Sequence, residues 1–211
     1  AQGDEFTISG SAQGTKSVNI LAVSPKGSGG TMIDGSEKDV LCPTTKPGVY
    51  TGIYHTTASV SETDYKFTKK VSVGDDVDTG TYLIALISPG SDGGYGKNAV
   101  SSLTDALCEY SLSGKTPDEV VAIVEDMTKL SDDLVQALYI KVETPYVQLD
   151  TLKNVGVGEP LVVSGTSNRK EGFAIVITVK GPKELTPQTV KVTGGKFNAT
   201  FDTTDALVGT Y

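Results

Sequence analysis

Apolar and polar residues alternate along much of this chain, which is the pattern of β-strands that bury one face in a core. β-Branched and aromatic residues occupy most of the apolar positions, as strands prefer. The clearest stretches are residues 6–8, 18–23, 173–179, 190–192 and 197–201. This pattern predicts a mainly β protein.

The strand patterns occur twice. Residues 3–11 (GDEFTISGS) return as residues 158–166 (GEPLVVSGT), and residues 18–23 return as 173–178 at the same spacing, since 158 − 3 and 173 − 18 both equal 155. Residues 59–67 align on 189–197 and residues 80–82 (GTY) on 209–211 (GTY). Self-similarity of this kind indicates tandem modules. We expect one module over residues 1–143 and a second over 144–211, with Thr144-Pro145 between them.

The first module contains two stretches without a counterpart in the second. About 25 additional residues lie around positions 32–55, because residues 18–67 span 49 positions and the matching residues 173–197 span 24. Residues 91–137 form the other stretch, and a helical pattern dominates it. Thr116 and Glu119 have capping-box spacing, with Pro117 at the first helical position. Residues 131–133 predict a further helix that runs into Leu134 to Leu138, and residues 100–110 a weaker one.

The remaining elements follow from the repeat. We expect a strand at residues 82–87, a delayed last strand at 138–142, and a first strand of the second module at 146–149. Gly194 and Gly195 supply the positive φ of a tight hairpin turn. The second module lacks two strands that the first has, so we expect it to be C-terminally incomplete.

Tyr82 and Tyr211 each stand two residues after a glycine. A tyrosine at the start of strand F that bonds backbone upstream is the tyrosine corner of immunoglobulin-like sandwiches. The predicted fold is therefore mainly β, with tandem immunoglobulin-like β-sandwich modules, the first carrying an α-helical insertion at about 91–137 before its last strand.

Charge and composition narrow the function. The net charge is −8 and the pI about 4.7, which argues against nucleic acid as a partner because phosphate binding needs clustered Lys and Arg. No run approaches the ~18 apolar residues of a membrane span, and the first residues do not read as a signal peptide.

Residues 164–169 (SGTSNR), the strand at 173–179, and residues 194–205 and 209–211 resemble an immunoglobulin-like module of archaeal, methanogen-type, cell-surface and S-layer proteins. The resemblance is strong over residues 155–211 and weaker over 3–87, and it does not include the helical insertion. It implies an exported, extracellular protein of the cell envelope, multi-domain and often glycosylated. It implies no catalytic residues.

Several residues are candidates for binding or modification. Asn198 begins the chain's one Asn-x-Ser/Thr triplet and is a glycosylation candidate. Asp75, Asp76 and Asp78 could hold Ca²⁺, but the full Ca²⁺-loop spacing is absent and a solvated loop is the favoured interpretation. Cys42 and Cys108 could form a disulfide that closes 66 residues (108 − 42), or remain two buried thiols.

Catalytic patterns are weak. His55 is the single histidine, and no nucleophile motif accompanies it. We therefore expect a non-enzymatic structural component of an archaeal envelope or surface layer, whose modules serve as spacers or lattice elements and whose partners are other envelope proteins or further copies. The alternative is an adhesion or glycan- or protein-binding module that uses the helical insertion. No cofactor is expected apart from Ca²⁺.

Overall fold

The computed structural model describes residues 1–36 and 52–211. The chain divides into two compact units, residues 2–143 and residues 144–211. The protein is mainly β, with 37% of residues in strands and 11% in helices, and its sheets are open rather than closed into a barrel. This arrangement is consistent with β-sandwiches.

The described part of the first unit contains two antiparallel sheets. One pairs β1 with β4, and the other has the order β3-β2-β5-β6. The strands are β1 (Glu5–Ser11), β2 (Ser17–Val23), β3 (Ile53–Ser59), β4 (Lys66–Ser72), β5 (Gly80–Ser88) and β6 (Leu134–Val142). A short 3₁₀ turn at Gly27–Gly29 follows β2.

Alternate residues of β2 and β5 enter two different cores. Ile20 of β2 and Ile84 of β5 pack with Ile8 and Phe67 of the β1-β4 sheet. The intervening residues of β2 and β5 point to the other face and enter a separate cluster with the helices. The four-stranded sheet is therefore buried on both faces, which explains why β2 reads as an almost continuous apolar run.

Two helices cover the outer face of that sheet. The first, α1 (Leu103–Cys108), lies in the stretch where the sequence predicted a weak helix. The second, α2 (Pro117–Thr128), begins with the predicted capping box, in which the Thr116 side chain accepts from the Glu119 backbone N–H and the Glu119 carboxylate accepts from the Thr116 N–H. Leu107, Val120 and Val124 are buried against the sheet. We call α1, α2 and residues 89–102 the helical cap.

The helix predicted from residues 131–133 onward is wrong. Residues 134–142 form β6, which pairs with β5 over nine residues, from Leu134 opposite Ser88 to Val142 opposite Gly80. Leu134, Val135 and Leu138 fit a helical spacing, but the complete ladder offered by β5 decides the conformation, because a strand at a sheet edge gains its hydrogen bonds from the neighbour. The last strand therefore begins at Leu134 rather than at Leu138.

The second unit also has two antiparallel sheets, in the orders β11-β8-β7 and β10-β9. Leu161, Phe197 and Phe201 from the first sheet and Ile175 and Ile177 from the second share its core. The strands are β7 (Val147–Leu149), β8 (Leu161–Ser167), β9 (Ala174–Ile177), β10 (Gln188–Lys191) and β11 (Lys196–Phe201). The predicted turn between β10 and β11 is confirmed, since Gly194 and Gly195 both have positive φ.

The repeat in the sequence is also a repeat in strand pairing. β1 pairs with β4 and β2 with β3, and their counterparts pair in the same way, β8 with β11 and β9 with β10. One glycine is conserved between the repeats for a packing reason. Gly10 stands opposite Phe67 and Gly165 opposite Phe197, and each leaves room for the ring, because an added Cβ would lie 2.9 Å and 2.5 Å from the ring atoms respectively.

Candidate functional site

A concave surface lies in the helical cap. It is a pocket of about 360 Å³ between the loop that precedes α1, the end of α1 and the end of α2. Its volume is within the range of about 300–1,000 Å³ typical of small-ligand sites. Val100, Ala106 and Met127 contribute apolar surface, and the half-buried ring of Tyr110 adds an aromatic face.

The glycine-rich loop of the pocket is held in a defined shape. Tyr95 and Val100 form a two-way backbone bridge, 2.8 Å and 3.0 Å between N and O, around a turn at Gly96 with φ of 67°. A Cβ on Gly94 would lie 2.4–2.6 Å from backbone atoms of Ala99, so this close approach requires glycine.

Two neighbouring carboxylates, which directly precede β6 in sequence, accept hydrogen bonds from the backbone of the same loop. Asp133 accepts hydrogen bonds from the backbone N–H groups of Gly90 (2.9 Å) and Gly96 (2.7 Å). Asp132 accepts from the Ser91 N–H at 2.8 Å and its hydroxyl at 2.6 Å, and these bonds lower the pKa of Asp132. These carboxylates therefore bind the loop and do not begin the helix that was predicted from residues 131–133.

A buried polar chain joins the loop to the sheet beneath it. The Asn19 side-chain amide on β2 donates to the Tyr95 hydroxyl, and its Oδ1 accepts from Nε2 of His55 on β3 at 2.7 Å. Burial lowers the pKa of His55. Burial also raises the pKa of Tyr95, and the negative charge of Asp133 raises it further. Burial therefore favours the neutral ring of His55, and Nε2 donates to Asn19.

Four charged side chains stand around the pocket. Lys97 and Lys129 supply two cations, and Glu109 and Asp126 supply two carboxylates, all exposed to solvent. Together with the Tyr110 ring and the apolar surface, they suit a small polar molecule with one apolar face, such as a sugar ring, which can stack on an aromatic side chain and hydrogen-bond at its edges. The sequence pointed to the insertion as a site but to none of these residues; Tyr95 within the glycine-rich run was the one available signal.

The three carboxylates of the acidic loop at residues 75–78 do not point to a common site. Asp75 and Asp76 are exposed, while Asp78 turns inward to form an ion pair with Lys26 and to accept from the Ser24 hydroxyl at 3.0 Å and the Thr31 N–H at 2.7 Å. Burial raises the pKa of Asp78, but the hydrogen bonds from Lys26, Thr31 and Ser24 outweigh it and hold the pKa at about 2. Within residues 1–36 and 52–211 no group of three or more His, Cys, Asp or Glu side chains is placed to hold a metal ion.

The two corner tyrosines differ in their bonds. Tyr82 is fully buried, and its hydroxyl donates to the carbonyl of Thr31 at 3.3 Å, far upstream in sequence. The Tyr211 hydroxyl bonds the backbone of Leu207, four residues upstream, donating to its carbonyl and accepting from its N–H at 3.1 Å. The short upstream contact expected of a tyrosine corner therefore occurs at Tyr211.

Cys108 is disulfide-bonded. Cys42 lies outside the described residues, as does most of the added stretch at 32–55, so the pairing of Cys42 with Cys108 stays a prediction. Asn198 is exposed on β11, where a glycan would reach solvent.

No helix among the described residues combines the length and apolar character that crossing a membrane requires. Comparison of the chain with protein-family models gave no match, and comparison with curated proteins gave none either. The resemblance to cell-surface modules therefore rests on the sequence pattern alone.

Proposed function

We propose that this chain is a non-enzymatic structural component of an archaeal cell envelope or surface layer, in which sandwich modules act as spacers or lattice elements. The observation that carries the proposal is the repeated strand pairing of the two units, since tandem copies of one β-module provide length and surface rather than a single catalytic centre.

We further infer that both units are immunoglobulin-like. In the first unit, β1 pairs with β4 in one sheet, while β2, β3, β5 and β6 form the other in the order β3-β2-β5-β6. By this assignment β1 and β4 correspond to strands B and E of an immunoglobulin-like sandwich. The strands β3, β2, β5 and β6 then correspond to strands C′, C, F and G of the facing sheet. In the second unit β7 takes the place of strand A beside β8.

The proposed role is mechanical. Antiparallel ladders in both units tie residues distant in sequence, and the net charge of −8 favours solvation over nonspecific association. Asn198, exposed on β11, is the candidate position for a surface glycan.

Protease shaving of intact archaeal cells that make this protein, followed by mass spectrometry, tests the proposal. We expect peptides of this chain among the most abundant released peptides, with an even surface distribution by immunogold labelling. A cytoplasmic protein serves as the control for lysis. Sparse, patchy or purely internal labelling would contradict the lattice role.

A binding module is the second candidate, and the pocket in the helical cap favours it. The cap covers a sheet face that the second unit leaves open, so it is the part of the protein most specific to the first module. A glycan residue stacked on Tyr110 and bonded by the surrounding charged groups is the ligand whose chemistry fits.

Titration of the ¹⁵N-labelled chain with monosaccharides and short glycans distinguishes this candidate. We expect saturable shifts of amides in residues 95–100 and 106–110, lost in Tyr110→Ala. Tyr139→Ala is the matched control, since Tyr139 is an exposed tyrosine of β6 outside the pocket. Equal binding by both variants would exclude the pocket as the site.

A further inference from the structure

The charged side chains of the pocket in the helical cap are divided unevenly between its two walls. The end of α1 forms the first wall, where Glu109 stands next to the half-buried ring of Tyr110. Among the residues that line the pocket, Glu109 is the one charged side chain of this wall. The first wall therefore combines a negative charge with an aromatic face, and both attract a cation.

The second wall joins the glycine-rich loop to the end of α2. These two segments are in contact, since a Cβ on Gly96 would lie 3.3 Å from Met127. The wall contains Lys97, Asp126 and Lys129, so two positive charges stand against one negative charge. The carbonyl groups at a helix end carry the equivalent of about half a negative charge, which leaves this wall positive. The pocket is thus negative on one side and positive on the other.

The four charges are free to meet a ligand. None of these side chains forms an ion pair with a described residue. Asp126 and Lys129 have the i, i+3 spacing at which opposite charges on a helix can pair, yet they remain apart. At the start of the same helix Lys115 and Glu119 do pair, at 3.2 Å. The charges at the end of α2 are therefore not neutralised within the protein as those at its start are.

The loop that carries Lys97 has a defined shape without a ligand. The backbone bridge between Tyr95 and Val100 closes the loop, and Asp133 accepts from the Gly96 N–H at 2.7 Å. A preformed loop loses little conformational freedom on binding, so more of the contact energy appears as affinity.

We propose that the pocket binds a sugar residue that carries an ammonium group and a carboxylate on opposite sides of its ring, such as a 2-amino-2-deoxyhexuronic acid. Carbons 2 and 5 face each other across the six-membered ring. The ammonium group on carbon 2 therefore meets Glu109 while the carboxylate on carbon 5 meets Lys97 and Lys129, and the ring stacks on Tyr110. This inference rests on the second candidate function, glycan binding at the pocket, and adds the charge pattern of the ligand.

Titration of the ¹⁵N-labelled full chain at low salt tests the charge pattern. The probe is 2-amino-2-deoxyglucuronic acid, and the comparison sugars are glucosamine, glucuronate and glucose, which lack one charge or both. We expect the probe to bind about fivefold more tightly than either singly charged sugar, as suits an ion pair at an exposed site. 6-Aminohexanoate carries both charges without a ring and should bind more weakly than the probe.

Variants that remove single charges assign the two walls. Glu109→Gln should weaken binding of the probe and of glucosamine about fivefold without weakening that of glucuronate. Lys129→Gln should weaken binding of the probe and of glucuronate by a similar factor without weakening that of glucosamine. Glu125→Gln and Lys16→Gln are the matched controls, because they remove exposed charges outside the pocket and should bind every sugar as the wild type does.

The outcomes distinguish failure of this inference from failure of the function on which it rests. Equal affinity for all four sugars, with shifts of the pocket amides that Tyr110→Ala abolishes, would overturn the charge pattern and leave glycan binding intact. Equal or tighter binding of 6-aminohexanoate would overturn the sugar ring and favour a linear amino acid, such as a C-terminal lysine. If no probe shifted the pocket amides, both proposals would be wrong.

Discussion

The two units pair their corresponding strands in the same way but bury different fractions of the side chains on those strands. In residues 2–143 the four-stranded sheet lies between the β1-β4 sheet and the helical cap, so that Leu21 is fully buried on the outer face. Its counterpart Val176, on the same face of β9, is 65% exposed. An additional layer, and not a change in the strand, therefore determines what each position contributes.

The distribution of exposed apolar side chains follows from this difference. Among the described residues, sixteen large hydrophobic side chains are exposed, and eleven of them lie in the 68 residues of the second unit (144–211). The first unit covers its outer sheet face with the helical cap, and the second leaves apolar surface on both sides of its strands. The comparison indicates that the described part of the first unit buries its apolar side chains more completely than the second unit does.

Truncation at the two equivalent positions gives the largest expected contrast. Leu21→Ala leaves a cavity under the helical cap and should destabilise the first unit by about 2–5 kcal/mol. Val176→Ala should change the stability of the second unit by less than about 0.5 kcal/mol. Far-UV circular dichroism at the helical band follows the first unit, because α1 and α2 both belong to it, and hydrogen exchange in β8 and β11 follows the second. Similar losses of stability in both variants would contradict the conclusion that the helical cap makes Leu21 contribute more than Val176.

The glycine shared by the two repeats, Gly10 in β1 and Gly165 in β8, extends the comparison to the sheets that contain these strands. Gly165→Ala places a Cβ 2.2 Å from the Gln148 carbonyl oxygen of β7 as well as 2.5 Å from the Phe197 ring. We expect a loss of up to about 3 kcal/mol in the second unit, because backbone cannot move aside as a side chain can. Gly10→Ala meets only the end of the Phe67 ring, at 2.9 Å, and should cost less. The check is urea unfolding followed by hydrogen exchange in β8 and in β1; a larger loss from Gly10→Ala would contradict it.

The strands and the principal helix could be predicted from the sequence because their signals are local. Period-two alternation marks residues 173–179 and 197–201, Gly194-Gly195 marks the hairpin, and Thr116 with Glu119 marks the start of α2. Each depends on residues within one or two turns of one another.

The parts that could not be predicted depend on distant partners. Residues 134–138 have a spacing that a helix also accepts, and only the ladder with β5 makes them a strand. The carboxylates of Asp132 and Asp133 find their partners near residue 90, and Asn19 finds Tyr95, through the fold. The pocket combines residues of three segments for the same reason. Asp78 was predicted with its acidic neighbours, but Lys26 and Thr31 determine its environment.

Asp78 should make the stability of the first unit sensitive to acid in a way that the second unit is not. The matching position of the second unit is occupied by Leu207, since 207 − 78 = 129 is also the spacing of Gly209 from Gly80. The folded-state pKa of about 2 lies below the ordinary 3.8, so the contribution is present above about pH 4 and lost as pH falls through 2. Asp78, whose side chain is 8% exposed, should contribute about 2 kcal/mol at pH 7. Thermal unfolding of Asp78→Asn at pH 7 and pH 2 measures this; the exposed Asp75→Asn is the control, and equal losses in both variants would contradict the assignment.

His55 gives the smallest expected effect, and it too belongs to the first unit alone because the chain has one histidine. Burial lowers its pKa below 6.5, so the folded state binds this proton less readily than the unfolded chain does. The contribution of His55 to stability is therefore present above pH 6.5 and declines as pH falls below that value. We expect the helical circular dichroism of the wild type to melt at a lower temperature at pH 5.5 than at pH 7, with a smaller difference in His55→Gln, whose side-chain amide can still donate to Asn19. Hydrogen exchange of the second unit, corrected for intrinsic rates, should not follow this change. If the variant retained the full pH dependence, protonation of His55 would not be what couples the sheet beneath the helical cap to pH.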